Sequence, residues 1–186
     1  DEVSRYIDDV GNEGNIIKLV EGRQTTFRDA KSYYFSSPTV KDECKISELY
    51  YQGTQRVALA ECVHCQHKQE LIFEQLKIDE KGEAFYPCSS CGGLHYEHDK
   101  PLMFKNGLWS DPKPNDGETE SFHLSSMFQP YGGLPWTALY NEWLNAKVLI
   151  DTKADYTLMQ VFYNTRLARP WHQAADTLSS QALIDR

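Results

Sequence analysis

Val3, Tyr6, Ile7 and Val10 recur at helical spacing, and Gly11 and Gly14 close that first stretch. Ile16 to Val20 is a short apolar run, and Arg23 to Phe27 is polar, with Thr25 and Thr26 inside it. Tyr33-Tyr34-Phe35 reads as a buried strand that stops at the turn sequence Ser36-Ser37-Pro38-Thr39. Ile46, Leu49 and Tyr50 mark an amphipathic helix ending near Gly53. From Arg56 to about Pro101 the pattern changes to short strands. Val57-Ala58-Leu59, Leu71-Ile72-Phe73, Ala84-Phe85-Tyr86 and Leu94-His95-Tyr96 alternate with cysteine-bearing turns. Residues 109–120 are polar and carry Pro112 and Pro114, as a linker does. Trp136, Leu139, Tyr140, Trp143 and Leu144 then fall on one wide helix face, with Pro135 where a helix start tolerates it. A second helix is predicted from about Asp155 to Tyr163, with Leu158, Met159 and Phe162 inward, and Pro170 stops any element after it.

At 186 residues the chain can bury a real core, in one medium domain or two small ones. Its 11 Tyr, 8 Phe and 4 Trp favour packed structure over disorder. A net charge of −8 argues against generalised binding to a phosphate backbone by this segment alone. No apolar stretch approaches the ~20 residues of a membrane helix, and no signal-peptide pattern opens the chain, so a soluble intracellular protein is expected. The start on Asp1-Glu2, without Met, suggests a fragment or a processed boundary.

The sharpest chemical signal is a pair of Cys-x-x-Cys motifs, Cys62/Cys65 and Cys88/Cys91, separated by 22 residues. Four thiolates at that spacing fill the tetrahedral shell of Zn²⁺ and leave no open position, which points to a structural zinc ribbon rather than a catalytic metal. A ribbon that has lost its metal, a redox pair, and a site borrowing His64, His67, His95 or His98 are the alternatives. Those histidines read most simply as ribbon surface. Gly92 and Gly93 follow the second pair and give its backbone freedom, whereas Gln66 and His67 follow the first, which predicts a looser turn there. Cys44 stands apart, expected as a small buried residue in a helix.

The order of several short signatures is more specific than any one of them. Asp1-Glu2-Val3-Ser4-Arg5-Tyr6 leads to Arg23 with Thr26-Phe27, then Ser36-Ser37-Pro38-Thr39, Ile46-Ser47-Glu48-Leu49-Tyr50 and Cys62-Val63-His64-Cys65. After the second cysteine pair come Gly107-Leu108-Trp109, Ser121-Phe122-His123-Leu124 and Phe162-Tyr163-Asn164-Thr165. This succession resembles the large terminase subunit of tailed bacteriophages, in the lambda-like GpA group, over nearly the whole chain. Members of that family are ATP-driven motors and endonucleases that cut phage DNA and package it into procapsids.

The resemblance implies an α/β fold: the C-terminal part of a P-loop ATPase sheet with an inserted four-cysteine zinc ribbon of small antiparallel β structure, followed by a mainly helical region. Its implied divisions are 1–55 for the end of the ATPase core, 56–108 for the ribbon, and 109–186 for a linker and helices leading toward a nuclease domain missing from the chain. Asp1 and Glu2 would correspond to the end of the Walker B strand, Asp1 holding Mg²⁺ through water and Glu2 polarising the water that attacks ATP. Ser36, Ser37 and Thr39 would match the segment linking nucleotide state to motion. The implied cofactors are ATP and Mg²⁺, beside structural Zn²⁺. The implied partners are double-stranded phage DNA, the small terminase subunit and the portal of the procapsid, in a homo-oligomer in the host cytoplasm, with no membrane. No phosphate-binding Gly-x-x-x-x-Gly-Lys-Ser/Thr loop occurs in the chain, so the chain alone is expected to be inactive.

Two other classes are open on the residues alone. A stand-alone zinc-ribbon module binding nucleic acid or protein would need a basic or aromatic face. Lys68, Lys77, Lys81 and Lys100 instead sit among more numerous acids, Glu70, Glu74, Asp79 and Glu83 among them. A zinc-supported His-Asn-His nuclease would need a ligand His on a helix, and the Trp136–Leu144 stretch has none.

Overall fold

The computed structural model describes residues 1–7, 9 and 11–172. Helices α1 (Ile16–Gln24) and α2 (Lys45–Gln52) precede strands β1 (Arg56–Glu61), β2 (Lys68–Gln69), β3 (Lys77–Ile78), β4 (Ala84–Pro87) and β5 (Leu94–His95). A short α3 (Lys100–Met103) leads to β6 (Leu108–Trp109) and β7 (Phe122–His123), then α4 (Trp136–Lys153) and α5 (Thr157–Val161). A π-helical turn, Phe162–Arg166, continues α5. No helix among the described residues is long and apolar enough to cross a membrane.

The architecture is mixed α/β with two small sheets. β1 is the hub of the first: it pairs antiparallel with β2 and β6 and parallel with β7. The second sheet runs β3-β4-β5, all antiparallel. Ala60, Leu71, Phe73, Tyr86 and Met103 from the strand region share one continuous core with Met127, Trp136, Leu139, Trp143, Phe162 and Trp171 from the helical region. The aromatic rings interlock at steep angles, with Phe73 5.0 Å from Phe162 and 5.9 Å from Trp143.

Helix α4 follows the expected apolar spacing at Trp136, Leu139 and Trp143, which are buried together with Ala146, whereas Leu144 at the margin of that face is exposed, as is Leu158 of α5, expected inward. Ala154, at φ 52, ends it in the left-handed conformation usual after a helix. Helix α2 also falls where the pattern placed it, and Gly53 stops it. Residues 110–120 carry no regular structure and are almost wholly exposed, in keeping with a linker.

Three local expectations are corrected. The first helix is only a 3-10 turn, Val3–Arg5, ended by an extended Tyr6, and Val10 of that pattern lies outside the described residues. Tyr33-Tyr34-Phe35 is not a buried strand: Tyr33 and Phe35 are exposed, and Phe35 O accepting from Val3 N–H at 3.3 Å is its one bridging backbone bond among the described residues. A strand requires a paired neighbour along its length, and none of the described strands lies beside it. Leu71 and Ile72 are outside the strands, and Phe73–Gln75 is a 3-10 turn rather than strand. Ile16–Val20 is helical. Asn15 caps α1 by accepting from Ile17 N–H at 2.9 Å and Lys18 N–H at 3.3 Å, a signal that a five-residue apolar run conceals. Among the described residues, 1–55 contribute helices and turns but no strand, only an isolated bridge between Val40 and Trp171.

Candidate functional site

The two Cys-x-x-Cys motifs occupy the tips of two hairpins built alike. In the first, Glu61 pairs with Lys68, Cys62 N–H donates to His67 O at 2.9 Å, and Gln66 N–H donates to Cys62 O at 2.9 Å. In the second, Pro87 pairs with Leu94, Cys88 N–H donates to Gly93 O at 2.8 Å, and Gly92 N–H donates to Cys88 O at 3.0 Å. The hairpins face each other so that all four sulfurs lie within 4.8 Å of one another. Cys62 and Cys91 are 3.7 Å apart and Cys65 and Cys88 3.8 Å. A metal held tetrahedrally at ~2.3 Å from sulfur requires S···S edges of roughly 3.8 Å, so the donor set fits such an ion.

Backbone amides turn toward the sulfurs. His64 N–H and Cys65 N–H point at Cys62 Sγ (3.4 and 3.5 Å), Ser90 N–H at Cys88 Sγ (3.4 Å), and Gly93 N–H at Cys91 Sγ (3.4 Å). Burial works against the Cys88 thiolate. The amides of Cys91 and Ser90 and the thiols of Cys62 and Cys91 outweigh it and bring its pKa down to about 7. Burial pushes the Cys62 thiol up.

The first turn is not looser than the second. Gln66 takes φ 61, matching Gly92 at φ 71, so the hairpin accepts a left-handed non-glycine residue to keep the geometry. Gln69, in β2, receives Ser89 N–H and Ser89 Oγ on its Oε1, both at 2.9 Å, and so ties one hairpin to the other.

One of the four histidines departs from the expected surface role. His95 is fully buried, stacked on His64 at 5.2 Å, and burial lowers its pKa. A strand position facing the core explains it: His95 pairs with Tyr86, also fully buried. Lys100 likewise leaves the surface. Its ammonium lies 2.8 Å from Glu97 Oε1 and 4.8 Å from the centre of the Trp136 ring, and burial lowers its pKa.

Asp1 is exposed and Glu2 half-buried, just ahead of the Val3–Arg5 turn. Glu2 adopts φ 54 and pairs with Arg5 at 3.2 Å. Ser36 and Ser37 are half-buried and Pro38 is buried. These two sequence-distant segments are in contact: Ser4 N–H donates to Ser36 Oγ at 3.2 Å, beside the Val3–Phe35 bond.

Beneath them sits Cys44, at the N-cap of α2 and 1 % exposed. Its sulfur accepts from Thr39 N–H at 3.3 Å and lies 3.6 Å from Ser4 Oγ. Burial opposes its thiolate, but bonds from Ser47, the Thr39 amide and Ser4 outweigh that and lower its pKa. The sequence alone assigns Ser4 no role and Cys44 only a packing one. The signal is faint: a serine two residues past Asp1-Glu2, and a cysteine just ahead of a helical pattern.

His123 is structural, its Nε2 set 3.0 Å from Leu167 O and 3.1 Å from Ala168 O at the end of the π-helical turn. A cavity of about 890 Å³ lies between Ser36–Pro38, α2, β7 and residues 163–172, lined by Tyr34, Tyr50, Phe122 and Arg169 among others.

A mixed α/β chain with a four-cysteine centre, preceded by the Asp1-Glu2 and Ser36–Thr39 segments, belongs to the phage terminase large subunits of the gpA type. Residues 1–109 match the family model "Phage terminase large subunit gpA, ATPase domain", and residues 119–186 match "Terminase large subunit gpA, endonuclease domain". The second match covers the helical region that the sequence placed ahead of a nuclease. Among curated proteins, the chain is 26 % identical to the terminase large subunit of Enterobacteria phage P21, over 100 % of this chain and 32 % of the relative. It is 24 % identical to that of Escherichia phage lambda, over 92 % of this chain and 29 % of the relative. The chain thus spans about a third of the length of these relatives. No solved structure matches it.

Proposed function

We propose that this chain works as part of a terminase large subunit, an ATP-driven motor that cuts phage DNA and packages it into procapsids. The observation that carries the reading is the order of the two family matches, ATPase at 1–109 and endonuclease at 119–186, on one chain. In this reading residues 1–55 close the ATPase core and 56–108 form the inserted zinc ribbon. Residues 109–186 are the linker and helical region, overlapping the endonuclease match. Asp1 and Glu2 serve ATP and Mg²⁺, and Ser36, Ser37 and Thr39 couple the nucleotide to motion. Their contact through Ser4 and Ser36 supports that pairing of roles.

Cys62, Cys65, Cys88 and Cys91 hold one Zn²⁺. Four thiolates saturate it, so its contribution is to fold the hairpins rather than to activate water. Double-stranded DNA, the small subunit and the portal of the procapsid are the partners, in a homo-oligomeric motor in the host cytoplasm. A free-standing ribbon module fits less well, because the ribbon strands share one core with the helices that follow.

The test uses the full-length polypeptide that carries this chain. Asp1→Asn and Glu2→Gln each abolish Mg²⁺-dependent ATP hydrolysis while leaving folding intact by circular dichroism. Hydrolysis at wild-type rate in both variants would remove the assignment. Purified alone, the 186-residue chain shows no ATPase activity and carries one zinc per chain by elemental analysis.

A further inference from the structure

We infer that Ser4, Cys44 and the Val40–Trp171 bridge form one relay, which carries displacement of the Asp1–Glu2 turn through Ser36–Thr39 into the residues matched by the endonuclease model. The inference rests on the reading of Asp1 and Glu2 as nucleotide-sensing residues.

The relay begins at Ser4. Its N–H donates to Ser36 Oγ at 3.2 Å, and its own Oγ accepts from Ile46 N–H at 3.3 Å. The Ser4 hydroxyl thus caps Ile46 in the first turn of α2 from a distant part of the chain. With an oxygen lone pair given to Ile46, the Ser4 hydroxyl proton is free to point at Cys44 Sγ, 3.6 Å away. Cys44 Sγ also takes the Thr39 N–H at 3.3 Å. One sulfur, closed off from solvent, therefore fixes both segments.

The second half runs from Thr39 to Trp171. Trp171 N–H donates to Thr39 O at 2.8 Å, and Lys41 N–H donates to Trp171 O at 2.9 Å, a short parallel bridge. Trp171 is anchored in the core, 5.6 Å from Tyr163 and 6.5 Å from Tyr156. Residues 30–39 have no regular structure of their own, so these bonds fix the position of their Ser36–Thr39 end. A shift of the Val3–Arg5 turn has a hydrogen-bonded path to the helical core that bypasses the ribbon.

Lys41→Pro tests the bridge. Glu43 N–H donates to Val40 O at 3.3 Å, and Asp42 has φ 68, so Lys41 occupies the second position of a type II turn, where proline is favoured. The substitution removes one donor, the Lys41 N–H. Amide hydrogen exchange by NMR on this chain is the first readout. Lys41→Pro and Ser4→Ala each speed exchange of the Trp171 amide about tenfold, the loss of roughly one net hydrogen bond, while the Trp143 amide in α4 is unchanged. A Trp171 amide exchanging at the wild-type rate in Ser4→Ala overturns the relay.

The second readout is the full-length polypeptide. Lys41→Pro keeps ATP hydrolysis and loses the dependence of DNA cleavage on bound nucleotide. Wild-type nucleotide dependence in that variant overturns the relay. A wild-type polypeptide without ATP hydrolysis overturns the functional reading instead, and the exchange experiment then still decides the physical linkage.

Discussion

Glu97 Oε2 accepts the backbone N–H of Trp136 at 2.9 Å, so a residue from the strand region caps the first turn of α4. Pro135 supplies no side-chain cap, and the other carboxylate oxygen of Glu97 holds the buried Lys100. One carboxylate thus serves a helix end and a desolvated cation at once.

Glu97→Ala is expected to destabilise the chain by about 3–5 kcal/mol, because it leaves the Lys100 ammonium buried without a partner. The double variant Glu97→Ala/Lys100→Met recovers part of that loss, since the apolar side chain still packs on Trp136. Urea unfolding of the two variants against wild type measures both steps. A double variant less stable than Glu97→Ala would contradict the account.

Tyr86 gives the chain an alkaline limit. Its hydroxyl is buried, accepts from Ile72 N–H at 3.0 Å and donates to Gln75 Oε1 at 2.6 Å, and burial raises its pKa to about 12. The unfolded phenol titrates near 10, so between those values the unfolded chain releases a proton that the folded one retains. Stability attributable to Tyr86 is complete below pH 10 and falls by at most roughly 1.4 kcal/mol per pH unit on the way to 12. Tyr86→Phe lowers stability at neutral pH but flattens this slope, as thermal unfolding at pH 9 to 11 can determine.

Gln66 and Gly93 predict opposite outcomes at related turns. Gln66→Gly relieves a left-handed backbone and stabilises by about 0.5–1 kcal/mol, in the presence of metal. Gly93→Ala places a methyl 2.4 Å from His64 Cδ2, so the His64 ring must leave its stack on His95. The His64 ring signals in an NMR spectrum move in Gly93→Ala and stay put in Gln66→Gly.

Gly53 joins α2 to β7 by close approach. A Cβ there would meet Ser121 Oγ at 2.5 Å, the oxygen that receives Gln55 N–H and donates to Tyr50 O, both at 2.8 Å. Gly53→Ala should cost about 2 kcal/mol, within the overpacking range, and Gly53→Ala/Ser121→Gly should regain some of it. Equal melting temperatures for wild type and Gly53→Ala would show the contact to be soft.

The elements legible in the sequence are those whose signal is local. Trp136, Leu139 and Trp143 announce α4 by spacing alone, and the four cysteines announce their cluster by spacing and chemistry together. Tyr33-Tyr34-Phe35 misleads because apolar composition says nothing of whether a partner strand lies alongside. Lys100 reads as a surface residue because its burial depends on Trp136 of α4, far along the chain, and His95 because its burial depends on its place beside Tyr86 and on His64 of the other hairpin. The Ser4–Cys44–Thr39 contacts are invisible for the same reason: three polar or small side chains acquire meaning only from a fold that gathers them.

Strand β1 has a consequence for how the protein is made. Arg56 and Val57 pair with Phe122 and His123, and Ala58 and Leu59 with Trp109 and Leu108. A ribosome must therefore add more than sixty residues after Arg56 before the central strand has its last neighbour. During that interval β2 reaches β1 first and β6 follows only at Leu108, so the edges of β1 that await β6 and then β7 stay open to other chains. The seam between the two family matches, residues 110–118, is thus no place to divide the polypeptide for expression: a cut there strands β1 half-built.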